Sequence, residues 1–343
     1  MIREDLSHLP SYQPGKKQVG KLKLSSNEIS EGPLPGVVDA IRQTVAECNR
    51  YPDMASIELR EALAAHLGLS ADQVAVGTGS SALCQQLVQI TCSPGDEVIY
   101  AWRSFEAYPI FTKIVGATAV EIPLNHAHAH DLNAMAEAIS ERTRLIFVCN
   151  PNNPTGTTIT EAEFRDFMAK VPSNVLVALD EAYFEYNRQP DGPNAAELIQ
   201  EFPNLVGLRT FSKAYGLAGL RVGYAFGAAR IAEALNKVAI PFGINVTAQA
   251  GAVASLAIKD ELLARTEEVV AERERVAKHI AGVPSQANFV WLPTEHAAAL
   301  GAALNDAGAI TRVFPEGVRV TIGTRAEMDR FLDMWDRVAE PPH

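Results

Sequence analysis

Lys213 has the sequence surroundings that point most clearly to chemistry. It lies in the run from Arg209 to Arg221, with hydroxyl side chains just before it and an arginine eight residues after it. A lysine amine forms an imine with an aldehyde, hydroxyls donate hydrogen bonds to a phosphate, and a guanidinium neutralises the phosphate's charge. The run therefore predicts a site for a small molecule that carries both an aldehyde and a phosphate.

Three further motifs precede this run: Gly77-Thr78-Gly79-Ser80-Ser81, Asn150-Pro151-Asn152-Asn153-Pro154-Thr155-Gly156 and Leu179-Asp180-Glu181-Ala182-Tyr183. Asp180 ends an apolar run, where an unpaired carboxylate is unfavourable, so it predicts a cationic partner such as a protonated ring nitrogen. The glycine turn opens an apolar helical run. Glycines allow close approach and a helix start offers free N–H groups, which favours a bound phosphate.

Together these motifs resemble those of the fold-type I aminotransferases, and within them the histidinol-phosphate aminotransferase branch, over about residues 6–338. The resemblance implies pyridoxal 5′-phosphate as cofactor, amino acid and keto acid substrates, and a homodimer with shared active sites. It implies an α/β fold, with a mostly parallel seven-stranded sheet flanked by helices and a smaller α+β domain. The implied parts are an arm over residues 1–30 that packs with the small domain and the partner subunit, a large cofactor-binding domain over 31–245 and a small domain over 246–343.

The resemblance also assigns a role to each matching residue. Lys213 would bind the cofactor aldehyde and later move a proton, and both tasks need a neutral amine with a lowered pKa. Asp180 would pair with the pyridine nitrogen, Tyr183 and Asn153 would hydrogen-bond the ring oxygen, and Phe105 would stack on the ring. The residues implied for the phosphate are Ser80, Ser81, Thr210, Ser212 and Arg221, with Tyr51 reaching it from the neighbouring subunit.

Arg319 is the main candidate for binding the substrate's anion. It lies in an apolar strand-like run, and a planar guanidinium grips a carboxylate through two hydrogen bonds. Weaker candidates for the substrate pocket are Arg312, Asn288, Tyr12 and Asn27. Arg319 suits a carboxylate or a phosphate, but a phosphate dianion would want further cations or donors, which Arg312 and Tyr12 could supply.

The residues around Phe105 bear on the substrate. The run Ser104-Phe105-Glu106-Ala107-Tyr108 resembles the actinobacterial phenylalanine, or aromatic amino acid, aminotransferases, whereas Arg103-Ser104 departs from the Pro-Thr typical of histidinol-phosphate enzymes. The resemblance favours ping-pong transamination of phenylalanine, tyrosine and their keto acids with 2-oxoglutarate and glutamate, through pyridoxamine phosphate. The alternative is a histidinol-phosphate aminotransferase of histidine biosynthesis. A pyridoxal phosphate-dependent decarboxylase or lyase is a more distant alternative.

Short β-branched runs alternate with amphipathic segments between about residues 73 and 227, which predicts a largely parallel sheet covered on both faces. The predicted strands of this sheet are residues 74–76, 98–100, 145–148, 175–179 and 205–208. Ligands of such sheets bind beyond the carboxyl ends of the strands, which is where the motifs fall. Beyond residue 245, one long helical stretch to about residue 280 and strand-like runs at 288–291, 310–313 and 318–321 predict the smaller domain.

Two helix starts carry a specific signature. Thr160 with Glu163, and Thr324 with Glu327, have the spacing of a capping box. By contrast, the first 30 residues contain proline and glycine and show little periodicity, which indicates an arm more than a core element.

Composition excludes several classes of function. With 343 residues, 47% of them hydrophobic and 21% charged, the chain reads as globular. A net charge of −11 without a basic cluster argues against nucleic acid. No apolar run approaches the roughly 20 residues of a membrane helix, and the acidic start does not resemble a signal peptide, so we expect a cytoplasmic protein with four reduced cysteines. The alternation of His126, His128 and His130 is interpreted as a solvated loop before the helix that starts near Asp131, and not as a metal site.

Overall fold

The computed structural model describes residues 2, 4–9, 11–12 and 18–339. The strands are β1 (Leu22–Leu24), β2 (Val74–Gly77), β3 (Glu97–Trp102), β4 (Thr118–Pro123), β5 (Thr143–Cys149), β6 (Leu176–Asp180), β7 (Leu205–Thr210), β8 (Gly223–Gly227), β9 (Phe289–Pro293), β10 (Ala309–Phe314) and β11 (Gly317–Thr321). The helices are α1 (Pro35–Thr44), α2 (Ile57–Leu67), α3 (Ser80–Thr91), α4 (Tyr108–Ile114), α5 (Leu132–Glu137), α6 (Glu161–Met168), α7 (Ala195–Leu198), α8 (Ala229–Val238), α9 (Val246–Ala257), α10 (Lys259–His279), α11 (Ala297–Ala307) and α12 (Arg325–Ala339).

The large sheet has seven strands in the order β2-β8-β7-β6-β5-β3-β4. Its strands are parallel except β8, which runs antiparallel to both of its neighbours. The five apolar runs expected to form this sheet are confirmed as β2, β3, β5, β6 and β7. Their side chains are buried on both faces, in two apolar clusters that helices complete, which is why these strands read as continuous apolar runs.

The smaller sheet has the order β1-β10-β11-β9. The three strand-like runs beyond residue 245 are confirmed as β9, β10 and β11. The fourth strand, β1, comes from the arm and pairs in parallel with β10, so that Leu22 lies opposite Ala309. Leu22 and Leu24 are buried in the apolar cluster of this sheet with Phe331 of α12. The arm therefore contributes a core strand, which its composition did not indicate.

The single long helix expected between residues 246 and 280 is wrong, because Ile258 leaves the helical conformation and separates α9 from α10. α9 is rich in small residues and packs closely on α1, with Ala248 and Ala252 in the same apolar cluster as Val37. α10 instead contacts β9 and α12. The predicted boundaries of the arm and of the two domains stay predictions.

Both capping boxes are confirmed. Thr160 and Glu163 exchange hydrogen bonds at the start of α6, and Thr324 and Glu327 do so at the start of α12. In the part of the chain that the structure describes, no helix has both the length and the apolar composition needed to cross a membrane. In the same part, no group of three or more histidine, cysteine, aspartate or glutamate side chains is arranged to hold a metal ion. His126, His128 and His130 do lie in a loop, but the expectation that this loop is solvated is wrong for His130, whose side chain is buried.

Candidate active site

A cavity of about 610 Å³ lies where the carboxyl ends of the large sheet's strands face β10, β11 and the arm. The predicted site residues that line it are Tyr12, Asn27, Ser80, Ser81, Phe105, Asn153, Asp180, Tyr183, Thr210, Ser212, Lys213, Arg221, Arg312 and Arg319. Residues that are far apart in the sequence meet here because parallel strands end at the same edge of a sheet. Two predicted residues, Tyr51 and Asn288, are not part of the lining.

Lys213 lies just after β7, and its side chain forms part of the cavity wall. Its Nζ donates a hydrogen bond to the carbonyl oxygen of Ser26 at 3.2 Å. Burial, and after it the charge of Arg319, lower the pKa of the Lys213 amine to about 8, while Glu28 opposes the shift. An amine with this pKa is neutral in a substantial fraction of molecules near pH 8, so it can act as a nucleophile or a base.

Asp180 ends β6 and is buried between β5 and β7. Its Oδ2 accepts a hydrogen bond of 2.6 Å from the Tyr108 hydroxyl. Tyr108 is itself buried and stacks on Phe147, with ring centroids 4.3 Å apart. Burial raises the pKa of the Asp180 carboxyl to about 6, although the hydrogen bond from Tyr108 lowers it. A cationic group in the cavity would relieve this desolvation and keep the carboxylate ionised.

Tyr183 is tied to the arm through Asn27. The Asn27 amide donates to the Tyr183 hydroxyl at 2.9 Å, and Asn27 also exchanges hydrogen bonds with Thr321 of β11. Asn288 donates to the backbone carbonyl of Asn27 at 3.1 Å, so it supports the cavity wall from behind. Burial raises the pKa of the Tyr183 hydroxyl above its ordinary value, so at neutral pH this group is a hydrogen-bond donor.

The start of α3 faces Arg221. Gly79 precedes the helix with φ of 80°, and no side chain caps the free N–H groups of the first turn. Arg221 lies over this turn, with its guanidinium nitrogens 3.4 Å from the hydroxyls of Ser81 and Ser212. The positive φ favours glycine at position 79, and a Cβ there would lie 2.4 Å from the Arg221 guanidinium and force it to move. Convergent hydroxyl, guanidinium and helix N–H donors are the donor set that a phosphate takes.

Arg319 projects from β11 into the same cavity and is buried. Its Nη1 donates to the Asn153 side-chain oxygen, and its Nη2 donates to the carbonyl oxygen of Ser25 at 2.6 Å. Its Nε is buried and has no hydrogen-bond partner among the described residues. A buried guanidinium with an unused donor favours an anionic ligand.

Arg312 lies directly opposite Arg319 on the neighbouring strand β10. Its Nη2 is 2.6 Å from Oε2 of Glu106, and both side chains of this ion pair are largely shielded from solvent. Glu106 follows Phe105, so a segment beyond β3 supplies both a ring of the cavity wall and the counter-ion of Arg312.

One wall of the cavity is apolar. Phe105 meets the ring of Tyr108 edge-to-face, with centroids 5.4 Å apart, and Ile110 and Phe111 of α4 extend this wall. Tyr51, by contrast, is 82% exposed and stacks on Phe242 at 4.5 Å. Within this subunit Tyr51 takes no part in the cavity.

A sequence profile of the family described as aminotransferase class I and II matches residues 19–334. The chain belongs to this family. The aminotransferase is 59% identical over 339 residues to a Corynebacterium efficiens protein named aromatic amino acid aminotransferase, a match that covers 98% of this chain and 99% of the relative. A Corynebacterium glutamicum protein of the same name is 59% identical over 338 residues, with the same coverage of both chains.

Solved structures agree with this assignment. The histidinol-phosphate aminotransferase of Sinorhizobium meliloti, solved in complex with pyridoxal-5'-phosphate, superposes on the aminotransferase with a TM-score of 0.86 and 31% identity, over 92% of this chain and 90% of the other. The expected fold type I architecture is therefore confirmed, as is the expected membership of the aminotransferases.

Proposed function

We propose that the aminotransferase binds pyridoxal 5′-phosphate and transfers the amino group of aromatic L-amino acids, such as phenylalanine and tyrosine, to 2-oxoglutarate. One observation carries this proposal. The nucleophilic amine of Lys213, the buried carboxylate of Asp180 and the phosphate-type donors around Arg221 line a single cavity. A phosphorylated aldehyde with a basic ring nitrogen complements all three groups at once.

The residues present fit the cofactor. Ser80, Ser81, Thr210, Ser212 and Arg221 would hold its phosphate, while Asp180 would pair with its ring nitrogen. Tyr183 and Asn153 would hydrogen-bond its ring oxygen, and Phe105 would lie against its face. Bound there, pyridoxal phosphate would supply an electron sink for the bond that is broken at the substrate's α-carbon.

The chain's own residues would then hold the substrate and move its proton. Arg319 would bind the substrate carboxylate, with its unused Nε as an additional donor. The neutral amine of Lys213 would take the proton from the substrate α-carbon and deliver it within the same cavity, which its lowered pKa permits near neutral pH. Tyr108, through its hydrogen bond, would keep the Asp180 carboxylate oriented toward the ring nitrogen.

The apolar wall of the cavity favours a substrate whose side chain, beyond the α-carbon, is aromatic. Beside Phe105, Ile110 and Phe111 present an aliphatic side chain and a ring to the cavity, and burying an aromatic side chain against such a wall is favourable. The names of the two corynebacterial relatives agree with this choice.

We further propose that two copies of the chain form a dimer in the cytoplasm. Tyr51 stacks on Phe242, while Met54, Val238 and Ile240 border one surface cavity, and all five side chains are exposed in the single subunit. A cluster of exposed apolar side chains of this size is typical of a surface that another chain covers. Covering it with a second copy would let Tyr51 reach the partner's phosphate donors.

The four cysteines are unpaired, in keeping with a reducing compartment.

The test is a single-turnover comparison. The pyridoxal-loaded protein would be mixed with phenylalanine or with histidinol phosphate, and the conversion of the cofactor from its carbonyl to its amine form would be followed by absorbance. Faster conversion by phenylalanine is the expected result, with phenylpyruvate as product. Faster conversion by histidinol phosphate would assign the enzyme to histidine biosynthesis. Release of carbon dioxide or ammonia in place of a keto acid would indicate a decarboxylase or a lyase.

A further inference from the structure

Arg312 and Arg319 would together form a site for two negative charges if nothing else were present. They lie opposite each other in the register of β10 and β11, and both line the cavity. Like charges directly opposite in a sheet repel each other, so this arrangement needs an anion between or beside the two guanidinium groups. The chain supplies one such anion itself.

That anion is Glu106, whose carboxylate accepts a 2.6 Å hydrogen bond from Arg312. The two side chains of this pair are 14% and 29% exposed, so solvent screens their attraction only partly. Glu106 itself is not part of the cavity lining, whereas its neighbours Phe105 and Ala107 are. Its charge therefore reaches a ligand through Arg312 and not by contact.

The pairing changes what the cavity offers to a ligand. Arg319 has an unused donor for one carboxylate, whereas the charge of Arg312 is already compensated within the protein. A ligand with a second carboxylate or a phosphate must compete with Glu106 for Arg312. An uncharged aromatic side chain need not compete, and it can lie against the compensated pair.

We propose that Glu106 is a positioning residue that sets substrate selectivity. By pairing with Arg312, it favours substrates with an uncharged aromatic side chain over substrates that bring a second carboxylate or a phosphate. This inference rests on the proposed function, since it concerns how the same cavity ranks its substrates. It also explains how an enzyme that must alternate between an aromatic and a dicarboxylic substrate avoids holding the dicarboxylate too tightly.

The test uses the pyridoxal-loaded variant Glu106→Gln, which keeps the size of the side chain and removes its charge. Single-turnover half-saturation concentrations would be measured for phenylalanine, glutamate and histidinol phosphate. We expect the values for glutamate and histidinol phosphate to fall about tenfold, while that for phenylalanine changes less than about twofold and the limiting rates stay similar. Calorimetry with two unreactive ligands, glutarate and 3-phenylpropionate, should show the same contrast in affinity.

The chain offers a matched control. Arg103 and Glu316 form another ion pair between the segment after β3 and the β10–β11 hairpin, with a distance of 2.7 Å, and neither residue lines the cavity. Glu316→Gln should leave the selectivity unchanged, and Glu106→Asp, which keeps the negative charge, should preserve it. An equal effect of Glu106→Gln on all ligands, or the same shift in Glu316→Gln, would overturn the inference. Failure of the wild-type protein to convert phenylalanine would instead overturn the proposed function, and glutamate would still report on Glu106.

Discussion

Asp180 is a residue at which stability and function oppose each other. Its pKa is raised to about 6 by burial, so the folded protein binds a proton there more tightly than the unfolded chain. The stability that this proton contributes is complete below about pH 4 and is lost as the pH rises through about 6. At pH 8 the cofactor-free protein must therefore hold a buried carboxylate that the hydrogen bond from Tyr108 and the partly charged Lys213 amine stabilise only in part.

Asp180→Asn should consequently stabilise the cofactor-free protein at pH 8 while it impairs transamination. We expect the free energy of unfolding to rise by about 1–3 kcal/mol at pH 8, and this gain to shrink as the pH falls toward 5. Urea unfolding of both proteins at the two pH values measures it. A variant that is less stable than the wild type at pH 8 would show that the ionised carboxylate is needed for folding.

Lys213 should react with the cofactor in a pH-dependent manner that reflects its lowered pKa. Since only the neutral amine attacks an aldehyde, the rate constant for pyridoxal phosphate binding to the cofactor-free protein should rise about tenfold per pH unit and level off near pH 8. Stopped-flow absorbance measures this rate. In Arg319→Met the rate should level off at a higher pH, because the charge of Arg319 contributes to the lowered pKa of Lys213. A rate that still climbs steeply above pH 9 would contradict the lowered pKa.

The sequence alone identifies residues whose type is tied to their chemistry. Lys213, Asp180 and Arg319 were such residues, and the structure brings them to one cavity. The sequence does not indicate Ser25 and Ser26, because they act through backbone carbonyls, which every residue type carries. Two side-chain pairs are also not evident from the sequence, because their members meet only after the chain folds. Tyr108 bonds Asp180 across 72 positions of sequence, and Glu106 bonds Arg312 across 206.

At the scale of elements, the turn before α3 depends on how closely β8 approaches it. A Cβ on Gly223, the first residue of β8, would lie 2.4 Å from the backbone nitrogen of Ser80. Because a backbone atom cannot move aside as a side-chain end can, Gly223→Ala should displace the start of α3 and with it the donors for the phosphate.

The expected result of Gly223→Ala is a loss of pyridoxal phosphate affinity of at least about tenfold, with a smaller loss for pyridoxal, which lacks the phosphate. Fluorescence titration of the cofactor-free protein measures both. Gly219→Ala is the matched control, since Gly219 follows Lys213 in the same region and a Cβ there meets no atom within 4 Å. If the affinities for pyridoxal phosphate and pyridoxal fell equally, the substitution would act on some part of the site other than the phosphate donors.

The elements that the sequence did not indicate share a physical reason. β4 is an edge strand with several exposed side chains, and β8 is short with glycine at both ends, so neither forms a continuous apolar run. β1 has only three residues and gains its stability from pairing with β10. Strands of this kind are specified by their neighbours more than by their own composition.

At the scale of the whole molecule, the exposed apolar cluster around Ile240 predicts assembly. Ile240 is 73% exposed in the single subunit, and a charge at the centre of a covered interface is unfavourable. Ile240→Glu should shift the protein from dimer to monomer in sedimentation experiments and reduce its activity, because Tyr51 would no longer reach a partner. Leu263→Glu, at an exposed leucine on α10 outside this cluster, should leave both properties unchanged. A monomeric wild-type protein with full activity would refute the shared site.

The pairing of β1 with β10 also has a consequence for biosynthesis. Leu22 to Leu24 leave the ribosome early, yet their partners, Ala309 to Thr311, are synthesised almost 290 residues later, as the register of the two strands shows. The arm segment that follows β1 and supplies the carbonyls near Lys213 and Arg319 therefore cannot reach its final position until β10 has emerged from the ribosome. The large sheet, whose strands lie between residues 74 and 227, can form first. A nascent chain halted before β10 would carry the lysine but not the completed cavity, so we expect the enzyme to acquire its activity only after β10 has been synthesised.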